Sequence, residues 1–218
     1  MARHGESKHF KRSVVTGAVS IPRKRYKYYV RNLPGKHENQ YAIALLGVIR
    51  DVGKFALNAK EARYLINNGF VKVDGKTVRE ERYNLGFGDI LTVKEDSFIL
   101  WFGPSGKFIL KPYDTPEVKL MKVVSIYSGK KGKKILFTND GRNIIYDGSI
   151  KAGDSIKYNL KEKKVVEIIP FEQGREAVIY RGKNLGKSGK IEEIVGDNSL
   201  LSINGEKLTA LSDACMVL

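Results

Sequence analysis

Between residues 58 and 93 the spacing of apolar positions changes period, and the change predicts a helix that hands over to a hairpin. Ala59, Ala62, Leu65 and Ile66 recur at helical spacing and define one apolar face, with Lys60, Arg63, Tyr64 and Asn67 away from it. Asn58 followed by Glu61 is a capping-box pattern at the start. Gly69 suits a left-handed cap at the end. Val71 and Val73 then point one way along a strand and Lys72 the other. Asp74-Gly75 is a two-residue hairpin signal, because both positions need positive φ. Lys76, Arg79 and Arg82 follow, so a short basic helix leads to a hairpin with a basic tip. Residues 86–89 turn the chain into a strand at 90–93.

On either side the pattern differs. Residues 1–40 have no sustained apolar period. Residues 41–51 read as a short, mostly apolar helix that packs on the apolar face of the next one. From residue 98 short apolar runs alternate with turn signals. Runs at 98–102 and 107–111 flank Gly103-Pro104-Ser105-Gly106, and runs at 118–127 and 134–138 flank a lysine-rich loop. Asn139-Asp140-Gly141 turns into 142–146, and Lys161-Glu162-Lys163 joins 155–160 to 164–169. Such density of short strands predicts a barrel or small sandwich. Strands at 177–181 and 190–195 flank a glycine-rich loop, and Asn204-Gly205 makes a further hairpin turn. Gly153-Asp154-Ser155-Ile156 echoes Gly88-Asp89-Ile90-Leu91, but such turns are common in small β units and do not make a repeat. The expected class is α+β. It comprises a basic extended arm (1–40), a helix-and-hairpin domain (41–95), a β-barrel-like middle domain (96–170) and a C-terminal β domain (171–218).

Charge sharpens this picture. The 218 residues carry a net +15, unevenly placed. Residues 1–40 hold ten Lys or Arg against two acids, residues 96–170 fourteen against eight, and residues 171–218 six against seven. A merely solvated surface would mix signs, and this concentration is that of a polyanion binder. In the arm, Lys8, Lys11, Arg12, Arg23, Lys24 and Arg25 are interleaved with Phe10, Tyr26, Tyr28 and Tyr29, which suits phosphate contact with stacking on bases. The basic loop at 130–134 reads either as an RNA contact or as an edge-protecting turn.

Chemistry-bearing constellations are absent. Cys215 is the only cysteine, in an apolar run that suits a buried thiol and excludes an intramolecular disulfide. His4, His9 and His37 have no metal-ligand spacing with cysteine pairs. Gly186-Lys187-Ser188 resembles the end of a phosphate-binding loop, but Arg181 stands where its first glycine belongs and a strand is expected after it. No enzyme activity, cofactor, metal, bound nucleotide or membrane span is expected.

The stretch 59–66, 69–76 and Gly88-Asp89-Ile90 resembles the S4 RNA-binding domain, with Leu57-Asn58 where that family has Ser-Arg. Gly182, Gly186, Gly189 and Ile191 match the KOW motif, which implies a KOW (SH3-like) β domain at the C-terminus. Lys8-His9-Phe10-Lys11-Arg12 resembles the Lys-His-Leu-Lys-Arg opening of the small-subunit ribosomal protein S4e family. Pro34-Gly35-Lys36-His37 resembles that family's Gly-Pro-His-Lys in another order, and residues 41–55 its leucine-rich helix. The order of parts matches this family over nearly the whole chain, and the short C-terminal end implies an archaeal source. The resemblance implies a structural component of the small ribosomal subunit in the cytoplasm. Its partners would be small-subunit ribosomal RNA and neighbouring ribosomal proteins. The expected RNA contacts are Lys8, Lys11, Arg12, Arg23, Lys24, Arg25, Lys60, Arg63, Lys72, Lys76 and Arg79. The last five of these are expected on one surface. The alternative is an RNA-binding accessory protein, or an RNA-modification or transcription factor built from S4 and KOW modules.

Overall fold

The computed structural model describes residues 7–21, 27–129, 133–203 and 205–218. The expectations for Arg23, Lys24, Arg25, Lys130, Lys131 and Asn204 lie outside the described residues.

The described residues of the N-terminal segment, expected as an extended arm, fold onto the body of the protein. Strand β1 (His9–Lys11) pairs antiparallel with β2 (Tyr28–Val30). Ala18, Val19, Ile21 and Tyr29 are buried in the main apolar core. The Tyr29 hydroxyl donates to Asp51 Oδ2 at 2.9 Å. Burial raises the Tyr29 pKa, with Asp51 adding to it and Arg50 opposing. Apolar residues spaced too irregularly to show a period nevertheless hold this segment down, because burying them removes apolar area from water.

The helix expected at 41–51 is shorter. Its first residues form strand β3 (Ala42–Ala44), and only then does the chain coil as α1 (Leu45–Gly47), continued by a wider π turn at Val48–Val52. Nearly all of this run is buried, and continuous burial leaves no periodicity by which strand and helix could be told apart. Helix α2 (Ala59–Asn67) starts as its capping residues dictate. Asn58 Oδ1 accepts from the Glu61 N–H at 2.9 Å, and Glu61 Oε2 accepts from the Leu57 N–H at 2.8 Å. Ala62 and Ile66 are fully buried, with Ala59 and Leu65 partly so.

Strands β4 (Val71–Val73) and β5 (Lys76–Thr77) form the hairpin, with φ of 49° at Asp74 and 77° at Gly75. Strand β6 (Asn84–Gly86) pairs with β3. Strands β7 (Ile90–Val93), β8 (Asp96–Phe102) and β9 (Phe108–Pro112) extend the hairpin into an antiparallel sheet of order β5-β4-β7-β8-β9. Hydrogen bonding therefore runs straight across the expected boundary at 95/96, because only the tight turn between β7 and β8 separates them.

The middle sheet has the order β12-β11-β10-β13-β14, from β10 (Val118–Ser128), β11 (Lys134–Thr138), β12 (Asn143–Tyr146), β13 (Ser155–Asn159) and β14 (Lys164–Ile169). Met121, Val123, Leu136, Ile144 and Ile156 fill its interior. The last sheet has the order β18-β17-β16-β15-β19, from β15 (Glu176–Ile179), β16 (Ser188–Val195), β17 (Asn198–Ile203), β18 (Glu206–Leu211) and β19 (Cys215–Val217). Its glycine-rich loop lies on the β8–β9 hairpin. A Cβ at Gly186 would come within 2.0 Å of the Gly103 carbonyl oxygen, so only glycine fits there.

One buried cation sits at the seam between the middle and last sheets. Lys122 is 1% exposed, donates to the Ser212 carbonyl at 2.6 Å and lies over the Phe171 ring. Burial pushes its pKa down to about 8, despite Asp213. The unfolded chain, with an ordinary value of 10.5, then binds more protons between pH 8 and 10.5, so stability rises with pH through that window. Burial raises the Cys215 thiol from 9.0 to about 11, which opposes the trend above pH 9. Urea midpoints should therefore rise from pH 7 to pH 9 by about 1 kcal/mol of stability in the wild type. Lys122→Met should show no such rise. A flat profile in the wild type would contradict the assignment.

Candidate nucleic-acid interface

The interface is organised from inside. Asp74 at the tip of the β4–β5 hairpin is 7% exposed and faces inward. Its Oδ2 meets Lys36 Nζ at 2.7 Å, Lys119 Nζ at 2.9 Å and an Arg142 terminal nitrogen at 2.6 Å. Asp89, in the β6–β7 turn, meets Lys36 Nζ at 2.7 Å, Lys119 Nζ at 2.6 Å and His37 Nε2 at 2.9 Å. Asp140, in the β11–β12 turn, lies 3.1 Å from Lys119 Nζ and 2.8 Å from Arg142 Nε. Lys119 thus sits among three carboxylates at 1% exposure.

The remaining acceptor sites are used by the backbone and one hydroxyl. The Ile90 N–H donates to Asp74 Oδ1, the Gly86 N–H to Asp89 Oδ2, and the Thr138 hydroxyl to Asp140 Oδ1. Burial is the largest influence on each carboxyl and pushes it up. The surrounding cations outweigh it. Lys119 and Lys36 hold Asp74 below 3.8 against the repulsion of Asp89. His37, Lys119 and Lys36 hold Asp89 well below 3.8. Lys119, the Thr138 hydroxyl and Arg142 hold Asp140 below 3.8. Burial lowers the Lys119 pKa, but Asp89, Asp74 and Asp140 raise it above 10.5.

This cluster withdraws acids from the surface around the helix and hairpin and leaves cations there. Lys60, Lys72, Lys76 and Arg79 are all exposed. Arg63 is exposed but paired with Glu81. Arg79 lies over Gly69 at the C-terminal end of α2, where a cation suits the helix dipole. The five do not share one surface. Lys72 pairs with Thr77 and Val73 with Lys76, and directly opposed residues in a pair lie on the same face. Lys72 therefore projects away from the core on which α2 rests, whereas Lys76 lies on the face of Val73. Basic side chains are displayed in two directions. A sequence pattern shows which residues leave the core but not that α2 covers one side of the strand.

In the N-terminal segment Lys8 and Lys11 are exposed. Arg12 is turned inward, donating to the Ile21 carbonyl at 2.7 Å, so its guanidinium serves the fold. Sequence reasoning missed Lys36, Lys119, Arg142 and the three aspartates. The only hint was that Gly88-Asp89 and Gly153-Asp154 look alike. In both, the aspartate accepts the N–H three residues back, from Gly86 and Lys151. Only Asp89 also collects cations. Among the described residues no group of His, Cys, Asp and Glu could hold a metal ion, and no helix is long and apolar enough to cross a membrane. The chain after Gly186-Lys187 is strand β16, where a phosphate-binding loop would lead into a helix.

Replacing one member of the cluster strands its partners in a dry site. Asp89→Asn should lower stability by about 3–5 kcal/mol at pH 7. The folded carboxyls lie below their unfolded value of 3.8, so their contribution is complete above that pH and is lost as pH falls through the folded values. Urea unfolding at pH 7 and pH 3 should show a smaller acid loss in the variant. Equal losses would remove Asp89 from the account.

Comparison with known proteins places these features. A family model described as Ribosomal family S4e matches residues 94–165, and one for the S4 domain matches residues 54–91. The small ribosomal subunit protein eS4 of Methanocaldococcus jannaschii is 34% identical, spanning 100% of this chain and 96% of that protein. The eS4 protein of Methanothermobacter thermautotrophicus is 33% identical over 89% of this chain and 82% of its own length. The crystal structure of the 30S ribosomal protein S4e from Thermoplasma acidophilum superposes with a TM-score of 0.71 at 32% identity, covering 82% of this chain and 95% of that one.

Proposed function

The chain belongs to the S4e family of ribosomal proteins, and from that premise we propose how it holds RNA. It is a structural protein of the small ribosomal subunit, and the relatives named above are archaeal. Its work is to bind small-subunit ribosomal RNA by neutralising phosphates, with counterion release supplying much of the affinity. Neighbouring ribosomal proteins complete its surroundings.

One observation carries the reading of the site. The S4 match at 54–91 coincides with α2 and the β4–β5 hairpin, where Asp74 and Asp89 are buried and Lys60, Lys72, Lys76 and Arg79 exposed. These four, with Lys8 and Lys11, are our RNA contacts in the described chain. Arg63 contributes less because Glu81 already neutralises it. Arg23, Lys24 and Arg25 complete the basic arm by sequence. We read the last sheet and its glycine-rich loop as a KOW-like unit. The positive φ at Gly182 and Gly186 and the SH3-sized five-stranded sheet support this. We draw the division between the S4-like and middle units after β9, since β8 and β9 belong to the S4-like sheet.

Binding to a small-subunit rRNA transcript over a range of salt tests the two-sided reading. Removing one phosphate-neutralising cation should reduce the slope of log K against log salt by about 0.7 to 0.9. Lys60→Ala with Lys76→Ala should flatten it by about 1.5, and Lys72→Ala separately by about 0.8. Lys207→Ala is the control, an exposed lysine paired with Glu192 in the last sheet. Stability should barely move, because exposed charges contribute about 0–1 kcal/mol. Wild-type slopes in both folded variants would exclude these faces.

A further inference from the structure

The outer face of the β10–β11–β12 ladder carries side chains that the fold does not use. Its inner face is apolar core, with Leu136 and Ile144 buried. On the outer face Tyr127 is 56% exposed, Phe137 37% and Ile145 66%. The register sets them in two cross-strand rows. One is Ser125, Phe137 and Asn143, and the other is Tyr127, Ile135 and Ile145. Tyr127 and Phe137 meet edge to face with centroids 4.9 Å apart.

We propose that this face is a second RNA-binding surface, on which unpaired bases stack against Phe137 and Tyr127. The proposal rests on the RNA-binding reading given above. Three features favour RNA bases as the occupant. Two aromatic rings in contact on an open sheet offer a stacking platform, and every base has a face to stack. Ser125 and Asn143 flank Phe137 at cross-strand distance, so a base lying on that ring has a hydroxyl and an amide beside its edge. Charge is one-sided too. The segment 125–146 carries Lys130, Lys131, Lys133 and Lys134, while its Arg142 and Asp140 are paired with each other inside the ionic cluster. An acidic phosphodiester chain crossing the sheet therefore meets no exposed carboxylate from this segment.

The test uses the full chain, a fluorescent oligoadenylate, and the rRNA transcript with 4-thiouridine incorporated for photocrosslinking. Tyr127→Ala with Phe137→Ala should weaken oligoadenylate binding by about tenfold or more while leaving the salt slope unchanged, since neither ring neutralises a phosphate. Phe137→Tyr should bind within about twofold of wild type, because a ring is kept. Photocrosslinks on the wild-type protein should map to the peptides holding Tyr127 and Phe137, which keeps the test valid if the double variant fails to fold. A folded double variant with wild-type oligoadenylate affinity overturns the platform. If lysine variants at Lys60, Lys72 and Lys76 still flatten the slope, the broader RNA reading survives that result. If they do not, both fall. Crosslinks from this face to a neighbouring protein, and none to RNA, would overturn the proposal in favour of a protein partner.

Discussion

The fold turns on a lysine sealed from solvent. Lys119 Nζ is buried among Asp74, Asp89 and Asp140, and these come from three different turns, two in the S4-like sheet and one in the middle sheet. The balancing cations are Lys36, from the N-terminal segment, and Arg142, which shares the β11–β12 turn with Asp140. Lys119 and Arg142 of the middle unit reach Asp74, and Lys119 also reaches Asp89, so the ion pairs cross from one unit to the other. An ion without its partners in such a site costs several kcal/mol, whereas the assembled cluster adds little net stability over an apolar core of equal volume. The value of the arrangement is positional. It penalises any docking of the units in which these three turns do not converge.

From that constraint the surface follows. Acids near the helix and hairpin are drawn inward or used as caps and partners, with Glu61 at the start of α2 and Glu81 on Arg63. Lys60, Lys72, Lys76 and Arg79 remain outside, and the hairpin register turns Lys72 and Lys76 to opposite faces. The glycine-rich loop adds a further contact, where the bare backbone of Gly186 lies against Gly103 and joins the last sheet to the S4-like one. A protein that serves as scaffold needs this rigidity more than it needs a reactive group. RNA of fixed shape is recognised by phosphates and 2′-hydroxyls held at set distances.

Local features are legible in the sequence because local physics produces them. The Asn58–Glu61 cap, the α2 face and the Asp74-Gly75 turn are determined within a few residues. The strands from 98 to 211 can be read from turn chemistry. Long-range features cannot. Lys36 and Lys119 look like any surface lysine, since burial beside aspartates from distant turns leaves no periodic trace. The N-terminal segment looks like an extended arm because Ala18, Val19, Ile21 and Tyr29 are too irregularly spaced to announce a core face. Residues 41–51 look like one helix because near-total burial erases the difference between strand and helix. Among the expected RNA-binding residues, Arg12 escapes a sequence reading for a similar reason: its carbonyl partner at Ile21 is invisible until the segment folds back.

Native-state hydrogen exchange on the Lys119→Met chain tests the central claim most directly. If the buried ammonium locks the units, exchange should accelerate at the amides that face the cluster, those of Asp74, Gly86, Ile90 and Arg142. The interior of the last sheet should keep its protection, because openings occur in separate cooperative units. Unchanged protection at those four amides, or a uniform loss across all sheets, would contradict the account.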